Sequence, residues 1–219
     1  MMRKLKTAFI LNVCIFILEV FAILWMMSGI NSGVLSSARL AMLRYFTVDS
    51  NILMGIFALI AAIDQWRVLR GKKPDMSVAC YVLKLVGTVG VMLTMLVTIF
   101  FLAPTMGATY GVLSLFAYSN FFLHLLNPVL SIVTFLAFER TRKIAFGHTF
   151  TGIIPLVIYA IYYTAAALAH TQDGVIARGY DWYGFFFLGV KSAFIVLPLI
   201  IAITYGISVL LWRLNRIGK

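Results

Sequence analysis

The stretch from Thr7 to Met27, TAFILNVCIFILEVFAILWMM, decides the fold. Only Asn12, Cys14 and Glu19 interrupt it, and about 20 apolar residues in helical form are enough to cross a hydrocarbon core. Working outward, five further apolar runs follow: Leu43 to Ile63, Val78 to Ala103, Tyr118 to Phe138, Phe150 to Ala169 and Tyr183 to Trp212. The last is long enough to tilt or protrude. All six are continuous, whereas a barrel strand alternates over about ten residues. The chain therefore reads as all-α, a six-transmembrane-helix bundle forming one integral membrane domain over residues 1–219. A mean hydropathy of +1.01 and 63% hydrophobic residues agree, since soluble domains carry far less apolar sequence.

The 18 Lys and Arg residues are sorted along the chain. Arg3, Lys4 and Lys6 precede the first run; Arg67, Arg70, Lys72 and Lys73 follow the second; Arg140, Arg142 and Lys143 follow the fourth; Arg213, Arg216 and Lys219 follow the sixth. The alternate connections hold only Arg39, Arg44 and Arg178, while Lys84 and Lys191 lie inside spans. The positive-inside rule then places both termini in the cytoplasm, and the even span count agrees. The net charge of +11 is accounted for by short loops meeting anionic headgroups, so no nucleic-acid partner is implied. The first run has a basic start like a signal peptide, but its length and the lack of a small-residue cleavage pattern near Met27 to Ser32 mark a retained helix. Cys14 and Cys80 form neither a disulfide framework nor a metal motif, and no cofactor is called for. The connections are about a dozen residues each, so function belongs to the bundle or its rim, and no inverted repeat of the transporter kind is visible.

Polar residues inside a membrane are costly and are functional candidates by default. Span two opens with Arg44-Tyr45-Phe46-Thr47-Val48-Asp49-Ser50-Asn51; span four carries Tyr118-Ser119-Asn120, then His124, Asn127 and Pro128. At about 1.5 Å per residue, Thr47 to Asn51 and Asn120 to Asn127 share a depth in the outer third. Thr47, Ser50, Asn51 and Met54 form one helical stripe, and Asn120, His124 and Asn127 another. Lys191 reaches a similar depth, as do Tyr162, Tyr163 and Thr164, and Asp49 with Lys191 is a candidate ion pair. Glu19, midway in span one, must be protonated, paired or wet, with Lys84 or Lys191 as possible partners. Lys84 is near enough to the cytoplasmic end to snorkel.

A hydroxyl nucleophile needs a base within hydrogen-bond reach, and a neutral imidazole is one. Thr47 and His124 supply the pair, and Asn51, Asn120 or Ser50 could donate to a developing oxyanion. At that depth the substrate would be a lipid ester with its bond just below the headgroups. The bland readings are that Thr47 bonds a carbonyl one turn back, that His124 bonds across helices, and that Asn51, Asn120 and Asn127 glue helices together.

Tyr45-Phe46-Thr47-Val48-Asp49-Ser50-Asn51 resembles the threonine-bearing motif of the androgen-induced protein family and its bacterial multipass relatives. Asn120-Phe121-Phe122-Leu123-His124-Leu125-Leu126-Asn127-Pro128 is similar to that family's histidine helix, with a Pro after the His. Gly87-Thr88-Val89-Gly90 through Leu102-Ala103-Pro104 resembles the third helix of the bacterial members. A fainter likeness covers Tyr159 to Tyr163 and the Asp181-Trp182-Tyr183 turn, where Gly184 and Phe185 stand in place of an expected Pro. The resemblance implies an intramembrane threonine hydrolase in a bacterial plasma membrane. It would cleave fatty acid esters of hydroxy fatty acids, with Thr47 as nucleophile and His124 as base; by their own depth and spacing Ser50, Asn51, Asn120, Asn127, Asp49 and Lys191 are the supporting, oxyanion or pocket candidates, and membrane lipids are the expected partners. Two other classes stay open on the residues alone: an ion- or proton-coupled carrier or channel using Glu19, Asp49, Lys84 and Lys191, and a non-catalytic membrane binding or scaffold protein.

Overall fold

A computed structural model describes residues 2–30, 33–35, 37, 39–173, 175–177, 179–186 and 189–217. Six helices are long and apolar enough to cross a membrane: α1 (Met2–Ser28), α2 (Phe46–Leu69), α3 (Val78–Tyr110), α4 (Ser119–Phe138), α5 (Phe146–Ala169) and α6 (Val190–Arg216). The protein is an all-α integral membrane bundle. Arg178 and Lys219, counted in the charge pattern, lie outside the described residues.

Helix α3 is the hub, packing against α2, α4, α5 and α6, while α1 lies on α2 and α4. Small residues allow the close approaches. A Cβ on Gly90 of α3 would stand 3.1 Å from the Cβ of Ser50, and one on Gly55 of α2 would stand 3.1 Å from that of Glu19. The basic connections gather at one end of the bundle. There Phe9 stacks on Trp66 at 5.6 Å between centroids, Lys143 pairs with Asp75 at 2.7 Å, and an Arg140 Nη1 donates to the Ile217 carbonyl at 2.8 Å. The first described turns of α1 and the last of α6 share this basic end.

Several boundaries differ from the sequence reading, the second span running on to Leu69 rather than Ile63, and two of the differences have a local cause. Pro104 does not end the third span, because a wide π-turn at Thr98–Leu102 precedes it and lets the helix run on to Tyr110. Proline lacks only the N–H that would bond one turn back, and the wider turn relieves the ring's clash with the preceding carbonyls. A second π-turn, Phe122–Leu126, stands ahead of Pro128 and contains His124. The sixth span starts at Val190, not Tyr183: Gly184, at φ 70°, keeps Tyr183 to Phe186 out of the helix, and Gly189, at φ 74°, stands at the N-cap of α6. Between α5 and α6 a small hairpin pairs β1 (Thr171–Gln172) with β2 (Val175–Ile176).

Candidate functional site

Tyr45 is extended at φ −100°, ψ 128°, so α2 begins abruptly and Thr47 falls in its first turn. The hydroxyls of Thr88, Thr94, Thr98, Thr134 and Thr204 each donate to a carbonyl three or four residues back. Thr47 differs. The chain before it is a 3₁₀ turn (Arg39–Arg44) and a bend, which carry no helical carbonyl into reach, and its hydroxyl bonds no other described residue.

His124 is 3% exposed. Its Nδ1 lies 2.8 Å from the Thr98 hydroxyl oxygen, and that hydroxyl lies 2.9 Å from the Thr94 carbonyl. A carbonyl can only accept, so all three groups are satisfied when Thr98 donates to Thr94 and accepts from Nδ1–H. That arrangement leaves the lone pair on Nε2, the tautomer a general base needs.

Thr47, Thr98 and His124 line one cavity of about 440 Å³, at the end of the bundle away from the basic loops. This is within the usual range for small-molecule sites. Its other walls are largely apolar, with Leu93, Val97 and Phe101 from α3 and Leu197 and Ile201 from α6. Over it lies an aromatic cluster that ties the 181–186 segment to the start of α2 and to α5. The Phe46 N–H donates to the Tyr183 hydroxyl at 2.9 Å, and Trp182 Nε1 donates to the Tyr159 hydroxyl at 2.8 Å. The Tyr159 hydroxyl donates to the Arg44 carbonyl, the Tyr163 hydroxyl to Asp181, and the Phe186 N–H to the other Asp181 oxygen at 3.1 Å. Burial pushes the Tyr183 phenol well above its ordinary pKa, so it stays neutral where it receives the Phe46 N–H.

Ser50 and Asn51 have other work than the sequence suggested. The Ser50 hydroxyl donates to the Thr47 carbonyl at 3.0 Å, and the Asn51 amide donates both to that carbonyl at 2.7 Å and to the Leu123 carbonyl at 3.2 Å. Asn51 thus links the backbone of Thr47 to that of the residue before His124. Neither side chain lines the cavity, and neither do Asn120 or Asn127, although both are fully buried. Asn120 sits beneath Gly33, whose added Cβ would meet its amide nitrogen at 2.7 Å.

The expected Asp49–Lys191 pair is absent: Asp49 is half-buried in α2, Lys191 is exposed at the start of α6, and neither has an ion partner among the described residues. Glu19 meets neither lysine. Lys84 does not snorkel but is 0% exposed, because partners come to it. Its Nζ donates to Asn12 Oδ1 at 2.7 Å and lies 3.7 Å from Glu139 Oε2. Asn12 Nδ2 donates to Gln65 Oε1 at 3.0 Å and Glu139 Oε1 at 2.6 Å, and Gln65 Nε2 donates to Glu139 Oε1 at 2.8 Å. This network joins four helix ends at the basic side. Among the described residues, Glu19, Asp49, Lys84 and Lys191 form no ion pair with one another.

Thr98 is the site residue that sequence reading missed. It stands five residues before the expected end of span three, at the depth already used to align Thr47 with His124, and the same count applied to that span finds it. Compared with protein-family models, with curated proteins and with solved structures, the chain matches none.

Proposed function

We propose that the protein hydrolyses lipid esters within the membrane, with Thr47 as nucleophile and His124 as general base. One observation carries the reading: Thr47, whose hydroxyl bonds no other described residue, lines the same apolar cavity as a histidine whose Nδ1 is held by Thr98. The Thr47 oxygen attacks the ester carbonyl while its proton passes to His124 Nε2. The Thr47 N–H, the one first-turn amide of α2 without an acceptor among the described residues, and the positive end of that helix favour the tetrahedral oxyanion. Collapse releases the alcohol, protonated by His124, and leaves an acyl-threonine. Water, deprotonated by His124, then attacks the acyl group, and the free acid departs with Thr47 restored.

In this reading the basic end faces the cytoplasm by the positive-inside rule, so the cavity opens toward the outer leaflet, where acyl chains enter between helices. Thr98 and Asn51 act as positioning residues, the first for the imidazole and the second for the Thr47 backbone. The likeness of Tyr45 to Asn51 and of the His124 segment to the androgen-induced protein family and its bacterial multipass relatives supports the same chemistry, with fatty acid esters of hydroxy fatty acids as the substrates to try first. The test is a panel of lipid esters assayed with detergent-purified protein. Turnover that disappears in both Thr47→Ala and His124→Ala is expected; unchanged turnover in both contradicts the proposal.

A further inference from the structure

Between the cavity and the basic-end network lies a second set of buried polar groups. Glu19 of α1 is 2% exposed, and Asn127 and Ser131 of α4 are 0% exposed. Among the described residues, both Glu19 oxygens, both polar atoms of the Asn127 amide and the Ser131 hydroxyl lack a hydrogen-bond partner. The Asn127 amide lies beside the Glu19 carboxyl without reaching good hydrogen-bond geometry. Ser131 follows one turn on along the same face of α4, and its hydroxyl does not bond back to a carbonyl as Thr134 does. Gly55 of α2 closes the other side, with room for no more than the Glu19 stem. None of the three residues lines the Thr47 cavity.

Native interiors leave very few buried polar atoms unpaired, and a group of them at one level calls for an occupant. A carboxyl at this depth also needs its charge balanced. No cation among the described residues pairs with it: Lys84 is held by Asn12 and Glu139, and Lys191 is exposed. A proton on Glu19 would let the carboxyl and the Asn127 amide pair through two hydrogen bonds, and would leave the Ser131 hydroxyl without a partner. A small cation satisfies several oxygens together. One carboxylate balances one positive charge, so a divalent ion would leave net charge buried. Among the described residues there is no group of three or more His, Cys, Asp or Glu, so the ligand set is one carboxylate with neutral oxygens, which suits a hard monovalent ion.

We infer that Glu19, Asn127 and Ser131 form a binding site for one small monovalent cation, with Na⁺ as the natural probe. The ion neutralises the carboxylate, takes the amide and hydroxyl oxygens as further ligands, and ties α1 to α4. Because it binds only the folded protein, it stabilises the bundle by mass action.

The test is thermal unfolding of the whole protein in detergent, with Na⁺ replaced by choline at constant ionic strength. Tm should rise saturably with Na⁺ in the wild type. The rise should vanish in Glu19→Gln, and Ser131→Ala and Asn127→Ala should each need several-fold more Na⁺ for half of the effect. A wild-type Tm that is equal in Na⁺ and choline overturns the inference and leaves water or a proton as the occupant. So does an Na⁺ response unchanged in Glu19→Gln. If that variant does not fold, unchanged half-saturation in both milder variants has the same force. Ester turnover enters none of these readouts, so this inference and the hydrolase reading stand or fall separately.

Discussion

The two ends of the bundle spend polar residues in opposite ways. At the basic end Asn12, Gln65, Lys84 and Glu139 are each at most 2% exposed and bonded to one another. At the other end Thr47 and His124 have a hydroxyl and a ring nitrogen with no partner among the described residues, and both line about 440 Å³ of largely apolar space. A buried polar group with its partners holds structure together, and removing one partner strands the rest. A polar group left unpaired at the wall of a cavity is available to a ligand. The difference lies in satisfaction and access, since amides, hydroxyls and ionisable groups occur at both ends.

The comparison predicts variants with separable effects. The largest is at the cavity: Thr47→Ala and His124→Ala should each lower ester turnover by about 10²- to 10⁴-fold. Thr47→Ala should leave the melting temperature close to wild type, since no hydrogen bond to a described residue is lost. Next comes the paired end. Lys84→Met should destabilise the protein by about 3–5 kcal/mol, because it leaves Glu139 buried without its cation, while Lys84→Met combined with Glu139→Leu should recover much of that loss. Chemical unfolding in mild detergent measures both, and equal stability of all three proteins would show that the network is not a structural clamp. Thr98→Val should reduce turnover by about 10- to 100-fold, the scale on which outer partners orient a functional histidine, with Thr98→Ser restoring it. Smallest is Tyr183→Phe, which removes the acceptor of the Phe46 N–H and should cost about 1 kcal/mol in the same unfolding assay.

The six spans could be read from apolar run length because a membrane allows few alternatives for the backbone. The misplaced ends have local causes. Pro104 reads as a stop, yet the π-turn before it carries the helix onward; the run from Tyr183 reads as apolar helix, yet Gly184 at positive φ keeps Tyr183 to Phe186 out of it, with Tyr183 and Phe185 lining the cavity. Depth counting brought Thr47 and His124 to one level, and the structure places both on one cavity. It could not tell Ser50 and Asn51, which bond the Thr47 carbonyl, from donors aimed at a substrate, since helical spacing gives a face but not a partner. Glu139 and Gln65 were hidden because they sit beyond the expected span ends, so Lys84 looked alone and free to snorkel. The Asp49–Lys191 pair failed for a related reason: equal depth does not make two helices neighbours.

The central claim is that the Thr47 oxygen is the group that attacks. It is tested most directly by exposing purified protein to a lipid-like fluorophosphonate and mapping the adduct by peptide mass spectrometry. The account predicts a covalent adduct on Thr47, lost in Thr47→Ala and strongly slowed in His124→Ala. An adduct on another residue, or full ester turnover by Thr47→Ala, would contradict it.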